Sequence, residues 1–508
     1  MGNQRNALLN LKPNRKINGW KLSKRLGSGG NGEVWMCRND KKEEYAIKFF
    51  KFGRYGAAYE RFRDEVMFME QYQGVHGVLP IIDKNLPSKN KKNVDANTPI
   101  YYVMPLAQSI EQEIKKFTLD EKVAVIQMLL KMLVDLHQNG IAHRDIKPAN
   151  ILFYNGEFVL SDFGLVYFNK KNFKTPAGRK IGAKQTISPQ MERDAQIADK
   201  FKADVYSMAK TIWIILTGDD FSFGGQYIAN SEIGLSRRLK CDKYLYPLDK
   251  LLTQCTDYTE SNRPTAEEMA KRFEEWIQIN NSWSKENLMQ WREVQEQLFP
   301  TIIPIHAEWD NIEDIVNVLR LLGKYESLNH MFFPDCGGLD LTSAAISYET
   351  DCIELICDGL IYIVKPKKLS FEFINDETEW NYFLLETDIL KPIVQQEQDE
   401  YSEEFYETSP AQYISLEEFE NMPKADIDRI KPRHICRYMK GSFVFFHKDS
   451  IYNQKVSKYS GEHDKMSSND FHDAILKYAQ MYHECKIWKP LCETKIQKKI
   501  LYISFAQP

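Results

Sequence analysis

His143-Arg144-Asp145-Ile146-Lys147-Pro148-Ala149-Asn150, followed at short range by Asp162-Phe163-Gly164, decides the reading of this chain. The two segments set two carboxylates, a lysine and an asparagine close together in sequence. Upstream lies Gly27-Ser28-Gly29-Gly30-Asn31-Gly32-Glu33-Val34, a G-x-G-x-x-G-x-V loop. Glycines let a backbone fold over a triphosphate and offer it N–H groups without side chains in the way. A dinucleotide-binding turn or a flexible hairpin uses similar glycines, so the loop alone is a weak signal. The residues after it separate the readings. A dinucleotide unit wants a helix directly behind the glycines, whereas Glu33 to Phe50 reads as two strands. Tyr45-Ala46-Ile47-Lys48, in the second of them, puts a lysine where it could bind α- and β-phosphates.

In this order and spacing the motifs resemble the catalytic loop, magnesium motif and glycine-rich loop of Hanks-type, eukaryotic-like serine/threonine protein kinases. The resemblance covers about residues 20–277 and ends near Ser261-Asn262-Arg263-Pro264-Thr265, similar to the family's late helical Arg-Pro motif. It implies an α+β, bilobal fold with a small β-rich N-lobe (20–106) and a helical C-lobe (109–277), with ATP and Mg2+ in the cleft between them. Phosphoryl transfer is catalysed chiefly by positioning and charge neutralisation. On that chemistry Asp145 accepts the hydroxyl proton, and Asn150 and Asp162 supply hard oxygen ligands for magnesium. Lys147 is carried over as a γ-phosphate contact of serine/threonine kinases. Lys48 is expected to pair with Glu65, on a helix predicted over Tyr59 to Tyr72, with Glu60 as the alternative. Leu26, Gly27, Ser28, Gly29, Gly30, Asn31, Gly32 and Val34 would cover the nucleotide. Adenine is expected between Val34 and Ala46 on one side and the helical lobe on the other, with Met104 as gatekeeper and Ala107 as main-chain donor.

Two positions depart from the family pattern. Ser188-Pro189-Gln190 stands where the family has Ala-Pro-Glu, so the usual ion pair to Arg263 is expected to become a neutral hydrogen bond. Gly182-Ala183 stands where Gly-Thr is usual. A pseudokinase scaffold is the rival reading, but Lys48, Asp145 and Asp162 are all present. A small-molecule kinase is the other; Lys147 and the long segment between Asp162 and Pro189 favour protein substrates, the chain itself included.

At 508 residues the chain exceeds what one hydrophobic core supports. The net charge of −4 gives no pull toward nucleic acid or anionic membrane. Nine scattered cysteines suit reduced thiols and a cytoplasmic setting. No stretch reaches the ~18 apolar residues of a membrane span. Met1 to Asn6 begins like a myristoylation signal but lacks the Ser or Thr at position 6. Residues 1–19 read as a loose leader. Helical periodicity is clearest over Glu121 to Gln138, with Val123, Ile126, Leu129, Leu130, Leu133 and Leu136 on one face, and Lys84 to Thr98 reads as a surface loop.

Residues 281–508 read as a separate α+β domain, with substrate recruitment, sensing and homodimerisation all open as its function. Asn281 to Leu322 looks largely helical, Cys352 to Ile374 looks like two or three strands turning at Asp358-Gly359, and further strands are expected at Phe443 to Phe446 and Ile500 to Phe505. An amphipathic helix is expected near Phe471 to His483. His434-x-Cys436 and His483-x-Cys485 could form a zinc site in principle but fit no zinc-finger spacing. Control is expected at a basic run around Thr175, the first candidate for phosphorylation facing Arg144, with Thr186 second; the acidic stretch Glu397 to Glu407 is an alternative partner for that run.

Overall fold

A computed structural model describes residues 11–28, 32–51, 56–87, 98–168, 185–326, 328–332, 338–347, 350–357, 360–373, 381–388, 404–407, 413–415, 423, 434–438 and 442–445. The chain divides into two compact units, Met1–Ile277 and Gln278–Pro508.

The first unit begins with strands β1 (Lys16–Ile17), β2 (Trp20–Ser28), β3 (Gly32–Arg38), β4 (Glu44–Phe50), β5 (Asp83–Asn85) and β6 (Tyr101–Pro105). They form an antiparallel sheet in the order β1-β2-β3-β4-β6-β5. Part of the loop expected from Lys84 is thus strand, because β5 adds to the edge of β6; residues 88–97 lie outside the described residues. Alternation along β4 sends its residues to two different cores. Ile47 and Phe49 join Trp20, Leu22, Trp35, Cys37, Tyr101 and Val103 on one side, while Ala46 and Phe50 share the main core with Tyr102 and Met104. Helix α1 (Ala57–Gln71) covers that second side. Its Tyr59, Phe62, Val66 and Met69 recur at helical spacing and are buried, and the rings of Tyr59 and Phe62 both lie 5.5 Å from that of Phe50.

The rest of the unit is mainly helical: α2 (Leu119–Gln138), α3 (Pro189–Asp194), α4 (Lys200–Thr217), α5 (Leu235–Arg238), α6 (Tyr246–Cys255) and α7 (Ala266–Asn280). A capping box between Thr118 and Glu121 starts α2, and the six residues of its expected apolar face are all buried. Helix α4 is capped by Asp199 and ends at Gly218, whose φ of 76° suits a glycine terminator. Strands β7 (Gln108–Ser109), β8 (Ile151–Tyr154) and β9 (Glu157–Leu160) form a small sheet beside the His143–Asn150 loop. The two parts meet at Gly77, whose carbonyl accepts the Leu160 N–H at 2.9 Å next to a parallel bridge between Val78 and Leu160. Gly77 has φ 90°, and a Cβ there would lie 2.7 Å from Met132 Cγ, so only glycine fits.

The altered Ser-Pro-Gln motif behaves as its chemistry requires. Ser188 caps α3, and Arg263 donates from Nη2 to Gln190 Oε1 at 2.7 Å and from Nε to the Asp257 carbonyl at 2.8 Å. Its guanidinium also lies 4.8 Å from the Tyr206 ring centroid. Arg263 is 1% exposed and so depends on these acceptors.

In the second unit, α8 (Trp283–Leu298) and α9 (Ile312–Gly323) accompany strands β10 (His306–Trp309), β11 (His330–Phe332), β12 (Gly338–Ile346), β13 (Ile353–Cys357), β14 (Leu360–Glu372), β15 (Tyr382–Asp388), β16 (Glu404–Glu407), β17 (Tyr413–Ser415), β18 (His434–Tyr438) and β19 (Ser442–Phe445). Among the described residues these strands pair into one sheet, with the long β14 bonded to β10, β13, β15 and β18. The expectation of a largely helical Asn281 to Leu322 is met by α8 and α9, with β10 as an unexpected strand between them. Pro300 and Pro304 stop the helix, and the four residues after Ile305 add to the edge of β14. β13 pairs with β14 so that Cys357 faces Leu360, with the expected turn Asp358-Gly359 lying outside the described residues. The strand expected at 500–505 and the helix at 471–483 also lie outside them. Trp291 of α8 meets Phe383 at 5.5 Å, and Phe299 meets Phe371 at 5.0 Å, closing one face of this sheet. No helix among the described residues is long and apolar enough to cross a membrane.

Gln190→Ala is expected to lower the unfolding free energy of the first unit by about 1–3 kcal/mol, because a buried guanidinium N–H loses its acceptor. Gln190→Glu should recover or exceed wild-type stability, read from urea unfolding followed by tryptophan fluorescence.

Candidate active site

Lys48 lies between Ile47 and Phe49 on β4, so alternation turns it away from their core and toward the face that α1 covers. On α1, Glu65 lies three residues after Phe62 and four before Met69, so it shares their buried stripe. The two meet. Lys48 Nζ donates to Glu65 Oε1 at 2.7 Å and Oε2 at 2.9 Å, and to Asp162 Oδ1 at 3.1 Å. Glu60, the alternative partner, pairs with Arg63 on its own helix. Burial alone would drive the proton off Lys48, but Asp162 and Glu65 more than offset it and hold its pKa well above the usual lysine value. Glu65 is pushed up by burial against the pull of Lys48, whereas Lys48 holds the more exposed Asp162 carboxyl below its usual range.

The loop before β8 gathers the other motif residues. Lys147 Nζ donates to Asp145 Oδ2 at 2.8 Å, and Asn150 Nδ2 donates to the same oxygen at 2.9 Å and to the Asp145 carbonyl at 2.8 Å. The other carboxylate oxygen, Asp145 Oδ1, is buried and accepts no hydrogen bond among the described residues. Arg144 (φ 70°) and Asp162 (φ 63°) both occupy the left-handed region, an unfavourable conformation for residues with a Cβ. The ring of Phe163 lies 4.7 Å from Phe68 of α1 and 5.0 Å from His143, and His143 Nε2 lies 3.0 Å from the Ser161 carbonyl.

The residues expected to cover the nucleotide fall, where described, along β2 and β3. Leu26, Gly27 and Ser28 end β2, and Leu26 is exposed. Gly32 opens β3, where a Cβ would lie 2.8 Å from the Phe49 carbonyl. Val34 is the register partner of Lys48, and Ala46 that of Met104 on β6. Ala107 is half-buried in the link between β6 and β7. Gly29, Gly30 and Asn31 lie outside the described residues, as do Thr175, Gly182 and Ala183.

Residues 20–276 match the family model described as the protein kinase domain. The chain belongs to the protein kinase family. Among curated relatives, this kinase is 28% identical over 204 residues to serine/threonine-protein kinase PknH of Mycobacterium tuberculosis, covering 39% of the chain and 31% of the relative. It is 39% identical over 97 residues to serine/threonine-protein kinase PknL of the same species, covering 19% of the chain and 24% of the relative. The matched region therefore spans about a third or less of those proteins' lengths. The family relationship is to Hanks-type kinases of the serine/threonine kind.

Two residues at the kinase site escape a motif search. Asp204 of α4, wholly buried, accepts the main-chain N–H of His143 and of Arg144, each at 2.7 Å, and lies 3.3 Å from His137 Nε2. A single carboxylate in the otherwise mostly apolar run Ala203 to Leu216 was the available signal. Tyr102 donates its hydroxyl to Glu65 Oε1 at 2.9 Å. Thr186, expected as the second phosphate acceptor, is corrected by its surroundings: it is 1% exposed and its hydroxyl donates to the Ile146 carbonyl at 3.0 Å. Burial brings Arg144 down to about 10 against the pull of Asp204, so it remains a cation at neutral pH.

Asp204→Asn turns one acceptor into a donor facing a main-chain N–H. The kinase should lose about 2–4 kcal/mol of stability. Amides of His143 and Arg144 should exchange faster by mass spectrometry, while exchange in β2 and β3 stays unchanged.

Proposed function

We propose that this kinase transfers the γ-phosphate of ATP to serine and threonine hydroxyls of protein substrates, its own chain among them, with Mg2+ as cofactor. The observation that carries the reading is Lys48 Nζ held between Glu65 and Asp162 in the same unit as the Asp145–Lys147–Asn150 cluster. Asp145 Oδ1, buried without a hydrogen bond among the described residues, is suited to receive the acceptor hydroxyl's proton. Lys147, bonded to the other oxygen of that carboxylate, steadies it and stands ready for the γ-phosphate. Lys48, oriented by Glu65, binds the α- and β-phosphates. Leu26 to Gly32 and Val34 cover the nucleotide, and adenine lies against Val34, Ala46, Met104 and the Ala107 main chain.

The oxygen donors of Asn150 and Asp162 fit a hard cation, and these two residues would hold magnesium. Bound there, the ion would neutralise charge on the β- and γ-phosphates. We assign the second unit an accessory role, as a regulatory or substrate-recruiting α+β domain, and place the protein in the cytoplasm.

Wild-type protein incubated with ATP and magnesium should acquire phosphoserine and phosphothreonine, and an Asp162→Ala control should not, as mapped by mass spectrometry. A purely phosphotyrosine product would refute the residue-type assignment. Asp145→Asn should lose at least about a hundredfold in turnover with ATP affinity little changed, because the base touches the acceptor rather than the nucleotide. Near-normal turnover in that variant would remove Asp145 from its role.

A further inference from the structure

Tyr102 stands directly opposite Lys48 in the β4–β6 register, which also pairs Ala46 with Met104. Alternation therefore turns Tyr102 toward α1. Its ring packs 5.5 Å from that of Phe62, Lys48 Nζ lies 5.9 Å from its centroid, and its hydroxyl donates to Glu65 Oε1. Tyr102 is 1% exposed and Glu65 is fully buried. A phenol at such a depth needs an acceptor, and a carboxylate there needs donors in place of water. Both needs are met by one bond.

Glu65 Oε1 also accepts from Lys48, and Lys48 is drawn at the same time toward Asp162. Two anions therefore compete for one ammonium. When Lys48 turns part of its charge toward phosphate, Glu65 is left more dependent on its second donor. We propose that Tyr102 is a positioning residue for phosphoryl transfer, its hydroxyl fixing the Glu65 carboxylate so that Glu65 can hold Lys48 against the nucleotide phosphates. This rests on the reading of Lys48 as the phosphate-binding lysine. The surroundings that set the charge of Glu65 are Lys48 on β4, Tyr102 on β6, and Asp162 with His143 behind it on the facing loops. On α1 itself, Asp64 is adjacent and Arg63 is paired with Glu60.

Burial raises Glu65, and the Tyr102 hydroxyl is among the groups that lower it. The sign follows. Removing the hydroxyl raises the carboxyl further, so the ionised pair with Lys48 forms only at higher pH. Tyr102→Phe keeps the ring and its packing. Its kcat/KM for ATP should fall about tenfold on the acidic limb of the profile, which moves up by about one pH unit, the effect expected of one hydrogen bond to a buried charge. By linkage the same change lowers stability most where Glu65 is ionised, so the thermal unfolding temperature of Tyr102→Phe should fall more at pH 8 than at the acid end of the profile.

ATP affinity measured by calorimetry on wild type, Tyr102→Phe, Glu65→Gln and the double variant supplies a readout independent of turnover. Tyr102→Phe should weaken ATP binding when Glu65 is intact and add less than about twofold to the loss when it is combined with Glu65→Gln. Equal losses in both backgrounds, or an unchanged pH profile, would overturn the proposal. Failure of the underlying reading looks different: wild type itself would not transfer phosphate, and Lys48→Ala would bind ATP as well as wild type.

Discussion

Everything at the centre of the first unit depends on one buried cation. Lys48 is 6% exposed, and a lone ammonium at that depth would give up its proton. It stays charged because a helix and a loop each bring a carboxylate to it. The sheet fixes where the ammonium sits, α1 fixes one anion, and the segment after β9 fixes the other. Displacing the sheet or α1 leaves the buried Glu65 or Lys48 without its nearest counterpart, and such a loss is far larger than that of a surface ion pair.

The loop that carries Asp145 is held by a different device. Its conformation includes a left-handed Arg144, which the backbone would not choose unaided. Asp204 compensates by accepting two consecutive main-chain N–H groups from within the hydrophobic helix α4. Thr186 adds a bond to Ile146 from the far side. The motif residues are thus presented by a scaffold whose own polar contacts lie outside the motif.

This division explains what could be read from the sequence. Asp145, Asn150 and Asp162 were legible because the chemistry dictates their residue types and the chain keeps them close together. Glu65 was legible as an acidic residue on the predicted helix at the place where the resemblance puts the lysine's partner, with Glu60 as the alternative. Asp204 and Tyr102 were not, since each acts through a partner more than 35 positions away in sequence, and only the packing of α4 or the β4–β6 register brings them in. In the second unit, β10 was missed because a four-residue edge strand following two prolines carries almost no periodic signal, and its existence depends on β14 as a template.

Gly77 has a mechanical meaning beyond its tolerance for an unusual φ. The chain leaving α1 turns on Gly74 and Gly77, both at φ near 90°, and is then latched to Leu160, two residues before Asp162. The helix bearing Glu65 and the loop bearing Asp162 are therefore geared to each other by a short backbone linkage that does not pass through Lys48. Glu65 and Asp162 are thus tied together twice, once through their shared lysine and once through the stretch from Tyr72 to Leu160.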